Sequence, residues 1–324
     1  SAFTTLQSAL AIATSGDQIW VASGTYYPDE GTGQTNNDQA STFVLIDGVS
    51  IYGGFAGTPG TEALFVRNSN PATNNTVLSG DIDQDGLDAD NASTVVTITG
   101  ILTDTFILDG FTITNGYEDS GAGLGGGIYI EDASPTLSNL IITNNLANSN
   151  GGGVFVVSNA TVEANYSSPV LTDVIISNNT AARGGGLFLQ NASPSLTRVT
   201  FSGNSATGGA GGGLNSQTLL TTDAISLPAL TDVVFTSNNA VGGGGMFVTY
   251  SNAILNRVTF SGNTATRRGG GMLIEIASPT LTNVTFSENI STETAGPAPR
   301  GGGAIMNVTG SPIINNATFS GNNS

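Results

Sequence analysis

Ser193-Pro194-Ser195-Leu196-Thr197-Arg198-Val199-Thr200-Phe201-Ser202-Gly203-Asn204 is the stretch on which the fold turns. Apolar and polar residues alternate through most of it, and turn formers bound it, which reads as a β-strand. The same line recurs along the chain. Its Ser-Pro step returns as Ser134-Pro135, Ser168-Pro169, Leu227-Pro228, Asn252-Ala253, Ser278-Pro279 and Ser311-Pro312. Phe201 corresponds to Ile142, Ile176, Phe235, Phe260, Phe286 and Phe319, always at the same interval. Three residues further on stand Asn145, Asn179, Asn204, Asn238, Asn263, Asn289 and Asn322.

A glycine triplet completes the unit. It occurs at Gly125–Gly127, Gly151–Gly153, Gly184–Gly186, Gly211–Gly213, Gly243–Gly245, Gly269–Gly271 and Gly301–Gly303, in steps of 26, 33, 27, 32, 26 and 32 residues. The long steps are insertions, near Asn159–Ser167, Gln217–Ser226 and Ser291–Arg300, into a coil of about 26 residues. A coil of this length cannot bury its own apolar face, whereas stacked coils can, each strand pairing with its equivalent one coil on. No segment of the repeats holds a 3.6-residue period. The expected fold is therefore all-β, a parallel β-helix forming a single domain over residues 1–324. Leu137, Leu171, Leu196, Leu230, Leu255, Leu281 and Ile314 form one inward column, Leu140, Val174, Val199, Val233, Val258 and Val284 a second, and the Phe series a third. The Asn series falls at a corner, where each amide can bond its neighbour about 4.8 Å away, and it is expected to be a structural ladder.

Residues 1–18 read as an N-terminal cap. Leu6, Ala9, Leu10 and Ala13 share one face of a short helix within Thr4–Thr14, and such a helix would cover the open end of the solenoid. Residues 19–110 read as irregular, loop-rich coils and 111–324 as regular ones. The chain stops just after a Phe-x-x-Asn step, so the C-terminal coil is expected to be open. That opens two readings: a longer protein, or end-to-end stacking into a filament.

Composition narrows the chemistry. Among 324 residues there is no His and no Cys, and all seven cationic side chains are arginine. This excludes a His or Cys metal site, a Ser-His-Asp triad, a thiol nucleophile, a Schiff-base lysine and a P-loop. A formal charge of −17 argues against nucleic acid and anionic lipid as partners, and no apolar run is long enough for a membrane-spanning helix.

Three constellations remain. The first is Asp81-Ile82-Asp83-Gln84-Asp85-Gly86-Leu87-Asp88-Ala89-Asp90. Alternate carboxylates with a glycine at the bend suit a hard cation. The expectation is a structural Ca²⁺ held by Asp81, Asp83, Asp85, the Leu87 carbonyl, Asp88 and Asp90. Ala92 stands where an EF-hand needs its bidentate Glu, so the loop is not an EF-hand. The second is an outward column, Asn139, Asp173, Arg198, Asp232, Arg257, Asn283 and Asn316, whose central members alternate in sign. It is expected to set register through exposed ion pairs. Its enzymatic alternative pairs Asp173 with Asp232, roughly 9–10 Å apart at two coils' spacing, as an inverting glycoside hydrolase. The third is a column flanked by inward aliphatics: Tyr129, Phe155, Phe188, Asn215, Phe247, Leu273 and Ile305. It is expected to face outward and to be an interface, covered either by the insertions Thr161–Tyr166 and Leu219–Ile225 or by a partner.

Gly302-Gly303-Ala304-Ile305 followed by Phe319-Ser320-Gly321-Asn322 resembles the repeats of chlamydial polymorphic outer membrane proteins. Gly16-Asp17-Gln18-Ile19-Trp20-Val21, Gly24-Thr25-Tyr26-Tyr27 and Tyr52-Gly53-Gly54-Phe55 are similar to secreted bacterial proteins with right-handed parallel β-helix repeats. The resemblance spans essentially the whole chain, although most triplets here are Gly-Gly-Gly. It implies right-handed winding and an extracellular, cell-surface location. The function expected is structural or adhesive and non-catalytic: a rigid side surface meeting another copy, a surface protein or a glycan. The runner-up is a polysaccharide-binding or polysaccharide-degrading β-helix.

Overall fold

The computed structural model describes residues 3–58, 62–100, 106–119, 123–159, 167–219, 226–292 and 301–324. They form a right-handed parallel β-helix of three sheets, with fourteen, seven and nine strands. One regular coil shows the plan. Ser195–Ser202 lies in the largest sheet, Ser205–Ala210 in the second and Leu214–Gln217 in the third. Each pairs in parallel with its equivalents one coil before and one coil after.

The register explains the constant spacing. Leu171 pairs with Leu196, Val174 with Val199 and Ile176 with Phe201, and the same columns continue to Leu230, Val233 and Phe235. Leu196 and Val199 are three residues apart, yet both are buried. Strict alternation would put them on opposite faces. The residue before Val199 resolves this. Arg198 has φ 53°, and its equivalents Asn139, Asp173, Asp232, Arg257, Asn283 and Asn316 all lie between 48° and 56°. One left-handed residue per coil absorbs the odd position and returns the strand to its inward phase. The Phe column stacks ring on ring, with centroids 4.6–5.3 Å apart from Phe201 to Phe319.

The turn between the first two sheets also uses one left-handed residue: Asn144, Asn178, Gly203, Ser237, Gly262, Glu288 or Gly321. The glycine triplet needs its first member for the same reason, Gly211 having φ 75° and Gly243 61°. Its second member needs close approach, since a Cβ on Gly212 would lie 2.4 Å from the Gly244 carbonyl oxygen and 2.5 Å from that of Asn239. In the last coil the left-handed place belongs to Gly302 and Met272 pairs with Ile305, so the equivalent triplet is Gly302-Gly303-Ala304 rather than Gly301–Gly303.

The N-terminal helix α1 is shorter than expected, Leu6–Leu10, with the Thr5 side chain accepting from the Ser8 N–H. Leu6, Ala9 and Leu10 are buried, and Ala13 packs against the core beneath them. At the other end the strand Ile313–Ser320 pairs on one side only, and Ile313, Ile314 and Phe319 are well exposed. No described helix is long and apolar enough to cross a membrane. The insertions foreseen at Thr161–Tyr166 and 220–225, and most of that at 291–300, lie outside the described residues.

Candidate cation loop and lateral ladders

The acidic segment is an excursion pinched at its base. The Gly80 carbonyl accepts from both Ile82 and Ala92 N–H at 2.8 Å, and buried Ile82 anchors the loop. Asn91, 1% exposed, donates its amide to the carbonyls of Gly86 at 2.9 Å and Asn115 at 2.8 Å, tying the loop to the next coil. Asp83, Asp85, Asp88 and Asp90 each bring one carboxylate oxygen within 4.8 Å of the others. Asp81 does not join them. Its Oδ1 accepts the backbone N–H of Asp85 at 2.9 Å and Gly86 at 3.0 Å, so it shapes the turn. The side chain of Leu87 is exposed. Of the five carboxylates expected from sequence, four converge.

Crowding perturbs their ionisation. The Asp83 and Asp88 charges raise the Asp85 carboxyl above its ordinary range. A hydrogen bond shared between Asp88 and Asp90 pushes Asp90 up to about 6 and lowers Asp88. Oδ1 of Asp83 and Oδ1 of Asn91 are buried without a hydrogen-bond partner. An all-oxygen set of this kind fits a hard divalent cation and offers nothing to a soft one.

The Asn ladder runs from Asn145 to Asn322. Asn204 shows the pattern. Its backbone N–H and its Nδ2 both donate to Asn238 Oδ1 at 3.0 Å, and Nδ2 also donates backward to the Ile176 carbonyl at 2.8 Å. Asn179, Asn238, Asn263 and Asn289 repeat it. These amides are essentially fully buried, and each is satisfied by two neighbouring coils.

The Asp/Arg column forms discrete pairs. Arg198 grips Asp173 through two bonds of 2.7 Å, and Arg257 grips Asp232 at 2.6 and 2.8 Å. All four side chains are about half exposed. Each arginine holds its aspartate below the usual carboxylate range, chiefly by hydrogen bonding. In this arrangement both aspartates are engaged in bidentate ion pairs with the arginine one coil on.

A protein-family model matches residues 1–182, more than half of the chain. The chain belongs to this family, described as a protein of unknown function, DUF1565. The matched part contains the capping helix, the acidic loop and the first members of both ladders. No curated protein and no solved structure matches the chain.

For this DUF1565 protein the structure sharpens one expectation and corrects another. The apolar column does face away from the main core, but it is buried: Phe188 is 0% exposed, Leu273 4%, Phe155 5% and Phe247 9%. Phe155, Val157 and Phe188 form a satellite cluster with Tyr129, whose phenol burial pushes up to about 12. The Arg183 guanidinium lies 5.5 Å over the Phe188 ring. The alternation is right about direction, and glycine turns approach this face closely, Gly151 at Phe155 and Gly184 at Phe188; the insertions expected to cover it lie outside the described residues. Secondly, Leu273 pairs with Met306, so Ile305 continues the inward Met272 column instead of this one.

One site carried almost no sequence signal. Arg67 reaches from the 56–75 excursion to ion-pair with Asp109, both side chains at least nine-tenths buried. Its Nη1 donates to the Gly53 carbonyl at 2.7 Å, and its guanidinium sits 5.3 Å from the Tyr52 ring centroid. Asp109 also accepts from Ser138 and Asn139 in the next coil. Gly110 makes room, because a Cβ there would lie 2.6 Å from Arg67 Nη1. The only hint in the sequence is a glycine at 110, where later coils carry a larger side chain.

Proposed function

We propose that this protein is an extracellular or cell-surface scaffold that presents the outer face of its largest sheet to a partner, another surface protein or a glycan. The observation that carries this reading is the regularity of that face. From Thr136 to Ser320 every coil keeps one register across it, while the long insertions fall elsewhere. The Asp/Arg column has a hydroxyl and amide row on one side, Ser138, Thr172, Thr197, Thr231, Asn256, Thr282 and Asn315, and on the other a mixed row, Ile141, Ile175, Thr200, Val234, Thr259, Thr285 and Thr318, with the hydroxyls Thr143 through Ser320 beyond it. Exposed Val170, Ile175 and Ile254 lie among these rows, so the face is rigid, regular and mixed in polarity, suited to recognition more than to chemistry. The resemblance of its Gly-Gly-Ala and Phe-x-x-Asn steps to bacterial surface repeats supports the location.

The test is retention of protein-coated beads on cells and on immobilised glycans. The paired change Thr197→Glu with Thr231→Glu should abolish retention while leaving the fold intact; equal retention by wild type and variant would sink the proposal. Negative-stain electron microscopy of the same protein reads the self-assembly part, fibres against single short rods.

The same reading places a structural Ca²⁺ in the acidic loop, supported by the four converging carboxylates. Calorimetric titration should give one site per chain, and Asp83→Ala should remove it. No heat with the wild-type protein would dispose of the cation.

A further inference from the structure

Beside the capping helix lies a cleft of about 500 Å³, bordered by Phe3, Ile12, Trp20 and Tyr26 and by the polar side chains of Asp17 and Glu62. Its volume is that of an ordinary small-ligand pocket. Trp20 is the only tryptophan in the chain, and it is 44% exposed. One face of its indole stacks on Phe55, with centroids 4.8 Å apart and planes within 5°. Phe55 is itself buried and borders a separate cavity, while Trp20 borders this cleft. Trp20 therefore stands as a supported wall with its free side toward the cleft. Its Nε1–H donates to Gln18 Oε1 at 3.2 Å, which also fixes the ring.

We infer that this cleft binds a pyranose unit of a neutral glycan, stacked on Trp20. A held aromatic face offers large apolar contact at little entropic cost, which suits the C–H face of a sugar ring. Of the lining carboxylates, Asp17 has Oδ2 engaged by Thr14 and Glu62 has Oε1 engaged by the Ala56 and Gly57 N–H groups, and each offers its second oxygen to a sugar hydroxyl. Among the described residues no lysine or arginine borders the cleft; Arg67 lines the neighbouring cavity and is committed to Asp109. With a chain charge of −17, uronates and sulfated sugars are repelled. The inference goes beyond the scaffold reading by naming a ligand class and a second place for it, away from the lateral face.

Because Trp20 is unique, its fluorescence reports this cleft alone. The protein is titrated with β-1,4-linked hexasaccharides of glucose, mannose and N-acetylglucosamine, with trigalacturonate, and with tetramethylammonium chloride. Saturable change with at least one neutral hexasaccharide, and none with trigalacturonate, is the expected result. By calorimetry Trp20→Ala should weaken binding at least tenfold. Ile12→Arg, a change at an exposed rim residue that leaves the core untouched, should weaken it at least fivefold. A response to tetramethylammonium alone would make the cleft a cation cage and overturn the inference. Silence with every sugar, or sugar binding unchanged in both variants, would overturn it too. Bead retention by the Thr197→Glu/Thr231→Glu variant is compared in a Trp20→Ala background as well, which removes retention through the cleft, so the two readings fail separately.

Discussion

At the residue scale the buried amides carry the largest stakes. Asn238 Oδ1 accepts two N–H groups from Asn204, and its Nδ2 donates to Asn263 and to the Phe201 carbonyl. Asn238→Ala strands those groups in the interior, and each unsatisfied buried group costs about 1–3 kcal/mol. Denaturant unfolding should therefore show a loss of several kcal/mol for Asn238→Ala and a smaller one for half-open Asn322→Ala. The exposed pairs behave differently. A double-mutant cycle on Arg198 and Asp173 should give a coupling of about 0–1 kcal/mol. Its pH dependence follows from the depressed Asp173 carboxyl. The contribution is present above the unfolded-state value near 3.9 and is lost as pH falls through the lower folded value. Between pH 5 and 8 it should be flat.

At the scale of the element, two backbone devices define the coil. In the regular coils the left-handed residue within or between the strands of the largest sheet is Asn, Asp or Arg, with Gly110 in an early coil. A β-branched residue is strained there, so Asp232→Val should cost about 1–2 kcal/mol beyond the lost ion pair, whereas Asp232→Gly should cost only the pair. The glycine triplet is less forgiving. Gly212→Ala drives a methyl into two backbone carbonyls and should abolish cooperative folding, as followed by circular dichroism on heating. The segment 62–75 is tied to the stack by one buried ion pair and by hydrogen bonds of Asn68 and Asn74. Asp109→Ala leaves Arg67 uncompensated, a change worth about 3–5 kcal/mol, and chemical denaturation would show it as a lower midpoint.

At the scale of the whole molecule the stack is asymmetric. One end is covered by α1, while the strand at the other end, Ile313–Ser320, pairs on one side only. The contacts of each coil are overwhelmingly with its two neighbours, so stability should spread along the stack from coil to coil. Hydrogen exchange should show strong protection through the central coils, with protection falling off over the last strand. Uniform protection up to Ser320 would mean that the terminal coil is covered in solution.

The three inward columns, the corner amides and the coil length were legible in the sequence. Each is a local pattern repeated at fixed spacing, and repetition turns a weak local signal into a strong one. The sequence also exposed the acidic loop, because its carboxylates are neighbours along the chain. It could not show that Asp81 is spent on the turn while the other four converge, since that depends on which N–H groups the backbone turns toward them. Nor could it show the fate of the Phe188 column. Alternation says which way a side chain points from its strand; whether anything lies against it depends on how tightly the glycine corners fold. The Arg67–Asp109 pair and the Trp20 cleft join residues from different coils and a loop of no fixed pattern, so only the tertiary structure brought them together. What the sequence by itself determined was the repeat and its inward face, because these obey spacing. Everything that depends on an excursion packing back against the stack was decided in three dimensions.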